Sequence, residues 1–159
     1  MTGFFAGLRE RRRRADLERR LREAAHAGDE QQVRDLLAQG VDVNAGHGEP
    51  LIEAVLAGQA GMVRLLLERG ADPNAKDEEH GVTVLMYAAE EADVEIVRLL
   101  LTAGADPHAR DWMGRNAWMY AAGEADPPSA ADSRVPAAVA EVQRILKEAG
   151  AGQAPPDAE

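Results

Sequence analysis

The side chains able to do chemistry in this 159-residue chain are few. His26, His47, His80 and His108 are its only histidines, and three of them stand in or beside turn-rich stretches. A two-histidine surface metal site is the most they offer. There is no cysteine and no His-x-x-x-His pair, so a closed zinc centre lacks its ligands. The carboxylate pairs Glu78-Glu79 and Glu90-Glu91 have the composition of an acid/base dyad, but they occupy turn and helix-end positions where a solvated face is the stronger reading. The two serines, Ser129 and Ser133, share a Pro- and Ala-rich stretch with no histidine, so no Ser-His-acid arrangement forms. No Gly-rich phosphate loop follows a strand. The chain therefore reads as a non-enzyme without metal or cofactor.

The elements that would position these groups repeat. Val97-Arg98-Leu99-Leu100-Leu101-Thr102-Ala103-Gly104-Ala105-Asp106-Pro107 has an earlier twin in Val63-Arg64-Leu65-Leu66-Leu67-Glu68-Arg69-Gly70-Ala71-Asp72-Pro73. A worn copy runs from Val33 to Val43, and a fainter one from Val142 to Ala151. The marker glycines Gly40, Gly70, Gly104 and Gly150 are 30, 34 and 46 residues apart. Apolar residues at helical spacing bury one face, and glycine then ends the helix where a left-handed residue is required. Asp106 suits an Asx turn and Pro107 cannot continue a helix. Upstream of each copy lies a second apolar segment, within 21–28, 50–58, 83–92 and 116–125. Paired alanines such as Ala88/Ala89 and Ala121/Ala122 suit close helix approach. Such a unit of helix, turn, helix and Gly-Ala-Asp turn cannot bury its apolar face alone and must stack on a neighbour.

On these motifs the chain resembles the ankyrin-repeat family, whose unit is about 33 residues. The likeness runs from about Leu17 to Ala151 and is most specific at Gly-Ala-Asp-Pro-Asn-Ala-Lys-Asp (70–77) and Gly-Ala-Asp-Pro-His-Ala-Arg-Asp (104–111). It implies an all-α solenoid of four stacked helix-turn-helix units joined by finger turns. The units would be about 17–47, 48–80, 81–113 and 114–151, the last with a loop insertion at 127–139 before a final helix starting near Pro136. Residues 1–16 would form an Arg-rich arm or helix extension, and 152–159 a disordered tail. The family's Thr-Pro pair survives by halves, as Thr83 and as Pro50. Its histidine is replaced by Arg22, Ile52, Met86 and Met119, so apolar packing is expected in place of a hydrogen bond. The first finger, Asn44 to Glu49, is three residues short of the family pattern, and Gly46 and Gly48 allow that path. At the interhelix turn Glu91-Ala92-Asp93, where the family has glycine, either Ala92 is left-handed and strained or the turn has changed shape. Tyr87, Trp118 and Tyr120 match semi-buried positions.

The resemblance also implies a protein-binding module whose fingers and first-helix ends line a concave surface. By position, the fingers contribute Glu78, Glu79, His80, Val82, Trp112, Met113 and Arg115. The helix ends contribute His26, Leu56, Glu90, Glu91 and Glu124. Acids cluster about the middle of this surface beside the large apolar area of Trp112 and Met113, which points to a partner protein with a basic surface. Trp112 is expected to be covered either by the neighbouring finger near His80, or the insertion, or by that partner. A monomer is expected.

Charge divides the chain. Residues 1–22 hold eight arginines against three acids, a net +5, so that the remainder carries −15 of the total −10. An acidic body repels nucleic acid. The arginines read either as the polar face of a terminal repeat or as a docking surface, with Phe4, Phe5 and Leu8 as its apolar edge, for an anionic membrane or another acidic surface. The apolar start is too short for a signal peptide, and a cytoplasmic location is expected.

Overall fold

A computed structural model describes residues 2–123 and 137–151, and eight helices occupy them. The chain divides into two compact units, 1–72 and 73–159. The first holds α1 (Thr2–Ala27), α2 (Glu30–Ala38), α3 (Ala45–Leu56) and α4 (Ala60–Glu68). Here α1 packs on α2 and on α3, and α3 packs on α4. The second holds α5 (Val84–Glu90), α6 (Val94–Thr102), α7 (Ala117–Ala122) and α8 (Ala137–Glu148). Here α5 packs on α6 and α7, and α8 on α6 and α7. Residues 124–136 and 152–159, with most of the expected insertion and the whole expected tail, lie outside the described residues.

Four of the helix starts, and the stops at the four marker glycines, have a local cause. Asp29, Thr83, Asp93 and Asn116 accept a hydrogen bond from the backbone N–H three residues on, as N-caps do. The four marker glycines all have φ between 84° and 100°. The amide after each turns back onto the preceding helix: Val41 to Leu36, Ala71 to Leu66, Ala105 to Leu100 and Ala151 to Leu146, at 2.8–3.2 Å. This is one helix-ending motif used four times, and it satisfies carbonyls the helix leaves open.

Four residues after Gly40 and after Gly70, an asparagine ties one turn to the next. The Asn44 side chain donates to the Gly70 carbonyl (3.1 Å) and accepts from Asp72 N–H (2.8 Å). Asn74 does the same with Gly104 (3.3 Å) and Asp106 (2.8 Å). At the third such position stands His108, packed so closely on Gly150 that a methyl there would lie 2.9 Å from Cε1. The buried Asn116 spans the same interval, donating to the Ala151 carbonyl at 3.1 Å. The cores are built from Leu21, Ala24, Val33, Leu36, Leu51, Val63 and Leu66 in the first unit, and from Leu85, Ala88, Ala89, Ile96, Leu100, Val142 and Leu146 in the second.

Three expectations need correction or resolution. The short first finger takes its tight path as a kink within α3, where Gly46, His47 and Gly48 are all left-handed (φ 60°, 60° and 91°). Apolar packing replaces the family histidine only in part. Ile52 and Met86 are buried, with Met86 Sδ accepting from Thr83 N–H at 3.4 Å. Arg22 instead pairs with Glu49 at 3.1 Å, and Met119 is 42% exposed.

Ala92 is left-handed, at φ 53°. A Cβ in that region costs about 1–2 kcal/mol. Ala92→Gly removes the strain and returns about 0.5–1 kcal/mol through the freer unfolded chain. The variant is therefore expected to match or exceed the parent by up to about 1 kcal/mol in urea denaturation, where Ala→Gly inside a helix costs that much. A clear loss of stability would show that the turn is unstrained.

Candidate functional site

The finger turns of the second unit are built around one carboxylate each. Asp77 Oδ1 accepts from the backbone N–H of Glu79 (2.8 Å) and of His80. Its Oδ2 accepts from Val82 N–H and from the Tyr87 hydroxyl, both at 3.0 Å. Asp111 repeats the plan. Oδ1 accepts from Met113 N–H (2.9 Å) and Arg115 N–H (2.8 Å), and Oδ2 from Arg115 Nε (2.8 Å) and the Tyr120 hydroxyl (2.9 Å). The tyrosine stands ten residues after Asp77 but nine after Asp111, and the extra residue of the first of these fingers accounts for the difference.

Electrostatics follow from this geometry. Burial pushes the Asp77 carboxyl up, but the bonds from His80, Tyr87, Val82 and Glu79 outweigh it and hold the group below the ordinary carboxylate range. Asp111 is likewise held low: burial opposes, and the bonds from Arg115 and Tyr120 prevail. Burial and the adjacent carboxylate push the Tyr87 and Tyr120 hydroxyls up to about 12. Both carboxylates are thus ionised acceptors whose lone pairs the finger consumes. They brace a turn and leave nothing for proton transfer.

These braces decide which predicted residues face outward. Glu78, Glu79 and His80 are exposed on the turn that Asp77 organises, and Glu90 and Glu91 are exposed at the end of α5. Val82 is not a surface residue: it is 5% exposed, its amide is held by Asp77, and the antiparallel bridge Lys76–Thr83 beside it turns its side chain inward. Arg115 is also corrected. Its guanidinium pairs with Asp111, donates to the Tyr120 hydroxyl (2.7 Å) and lies 4.6 Å from the Tyr120 ring centre, so it stiffens the finger. Leu56, on α3 of the first unit, is 47% exposed, and His26 there meets Glu53 at 3.0 Å. Glu124 lies outside the described residues.

Trp112 and Met113 form the tip, at 68% and 76% exposure. The Trp112 amide donates to the His80 carbonyl at 3.0 Å, and a methyl on Gly81 would stand 2.7 Å from the indole Cδ1. The indole therefore rests on the neighbouring finger near His80 and still presents most of its surface. Sequence reasoning missed Met119 as exposed apolar surface and missed the pairing of Tyr87 and Tyr120 with the finger aspartates. Among the described residues no group of three or more His, Asp or Glu is placed to hold a metal, and no helix is long and apolar enough to cross a membrane.

Paired helices ended by Gly-Ala-Asp turns and joined by braced fingers define a repeat protein that presents a surface. A family model for ankyrin repeats, in three copies, matches residues 21–111, and the chain belongs to the ankyrin-repeat family. The α7–α8 pair lies beyond the matched residues. Ankyrin repeats are generally protein–protein interaction modules and typically non-catalytic. No curated protein matches the chain.

Proposed function

We propose that this chain is a non-catalytic interaction module that holds a protein partner with a basic surface through the fingers of its second unit. The observation that carries the reading is Trp112. An indole 68% exposed is costly in water, and here it is pinned by a backbone hydrogen bond and by Gly81. Tryptophan held rigidly at a surface is the residue type most enriched at binding hot spots. Met113 adds adaptable apolar area. Glu78, Glu79, Glu90 and Glu91 would steer a basic partner and make association salt-sensitive. Cytoplasmic residence fits a fold without cysteine.

Trp112→Ala is expected to leave the melting temperature nearly unchanged and to weaken binding of a partner captured from the native cell at least tenfold, about 1.4 kcal/mol. Isothermal titration beside thermal denaturation checks both. Retained affinity with lost stability would make the indole a packing residue and remove this surface from consideration.

A further inference from the structure

The chain has no cysteine, so its five methionine thioethers are its only sulfur. Four of them fall among the described residues, and the fold sorts them. Met62 and Met86 are 2% and 1% exposed, and the Met86 sulfur already accepts from the Thr83 amide at 3.4 Å. Met119 is 42% exposed and Met113 76%. An oxidant in water reaches a thioether only where the side chain is accessible. Met113 therefore offers the most accessible sulfur among the described residues, and it does so at the tip beside Trp112.

The Met113 backbone, by contrast, is fixed. Its amide donates to Asp111 Oδ1 at 2.9 Å, on the carboxylate that also holds Arg115 and Tyr120. The preceding amide, of Trp112, donates to the His80 carbonyl at 3.0 Å. A change at the Met113 sulfur thus alters the surface and leaves the turn standing. The same change at Met86 would put a polar oxygen into the core of the second unit, where burial shields the sulfur.

We infer that Met113 is a site of reversible sulfoxidation, and that a hydroperoxide acting there turns the finger tip from apolar to polar and releases the partner. The thioether sulfur attacks one peroxide oxygen with a lone pair. An S–O bond forms and the O–O bond breaks. The sulfur loses two electrons and the peroxide gains them. The proton on the transferred oxygen passes through solvent to the departing one, which leaves as water or an alcohol. Sulfoxide reductases, one for each epimer, return the product to the thioether. The sulfoxide oxygen must be desolvated when the tip is covered, and the adaptable apolar contact of the thioether is lost. Release rests on the reading of the fingers as the partner's site; the position of oxidation does not.

Treating the full chain with hydrogen peroxide tests this. Trypsin puts each described methionine on its own peptide: Met62 on 35–64, Met86 on 77–98, Met113 on 111–115 and Met119 on 116–134. Mass spectrometry over time is expected to show Met113 oxidised first, Met119 next, and Met62 and Met86 slower than Met113 by about tenfold or more. Methionine sulfoxide reductases should reverse the Met113 adduct, which separates it from an oxidised Trp112 on the same peptide. The melting temperature should hold while only Met113 and Met119 are modified. The protein isolated on the immobilised, unmodified chain is then titrated against the treated chain. Its affinity should fall about tenfold, the worth of burying one apolar side chain of this size. Met113→Leu should show no further loss on treatment, whatever affinity it starts from. Met113 oxidised no faster than Met62 overturns the inference, as does an equal peroxide-induced loss in Met113→Leu. So does an oxidised chain that binds unchanged while Trp112→Ala binds weakly. If neither oxidation nor Trp112→Ala lowers affinity, the reading of the fingers fails and release fails with it, whereas the peptide map and its reversal still decide whether Met113 is the modified residue.

Discussion

Asp111→Ala is expected to lower stability by about 3 kcal/mol, a fall in Tm of roughly 6–12 °C for a chain of this size. The carboxylate side chain is 1% exposed and accepts from Met113 N–H, Arg115 N–H, Arg115 Nε and the Tyr120 hydroxyl. Truncation leaves all four donors without their acceptor and leaves the Arg115 charge unpaired over a half-buried ring. Each orphaned buried donor costs about 1–3 kcal/mol, and water recovers part of that at the exposed side. Asp111→Asn keeps the shape and one acceptor oxygen, so it should lose about half as much. Loss near 0.5 kcal/mol for the alanine variant would show that the finger is not organised by this residue.

The same braces predict the response to pH. Asp77 and Asp111 have folded-state pKa values below their unfolded ones. Their stabilisation is therefore complete above about pH 4 and is lost as pH falls through the folded values. Tyr87 and Tyr120 are shifted the other way, to about 12 from 10.0. Their contribution is complete below about pH 10 and is lost as pH rises towards 12. Urea midpoints across pH should thus fall at both ends. The acid loss should be smaller in Asp111→Asn, which has no carboxyl left to titrate there.

Removing residues from Gln143 onward is expected to unfold more than the helix it shortens. Leu146 is fully buried and Ile145 is 7% exposed, both on a helix packed against α6 and α7. Losing either side chain costs about 2–5 kcal/mol. The deletion also takes the Ala151 carbonyl that anchors buried Asn116, whose Oδ1 caps α7. The shortened chain should lose the helical circular dichroism of α6 and α7 together with that of 143–148. Wild-type melting would mean that these helices hold without their neighbour.

How much of this was legible in advance depended on the range of the interaction. Helix positions and glycine stops were readable because each is decided within about five residues. Repetition then named the architecture, since an element that recurs at a fixed period has one way to bury its apolar stripe. Even Ala92 was legible as a dilemma, because glycine stands at the corresponding turn positions Gly28 and Gly58.

The surface was less legible, because side-chain direction in a finger depends on a partner outside the local string. Val82 and Glu79 stand three residues apart on one turn, and only the carboxylate of Asp77 decides that the first turns in and the second out. Arg115 reads as a free cation until Asp111 and Tyr120 close on it from both sides. Trp112 could not be assigned to core or solvent from its own neighbourhood. What it touches is Gly81 and the His80 carbonyl, some thirty residues earlier, brought beside it by the stacking of α5 on α7. The helices, their ends and the family were thus determined by the sequence alone, through short-range backbone constraints. Which side chains the fingers offer was decided only by tertiary hydrogen bonds whose loop lengths differ from one repeat to the next.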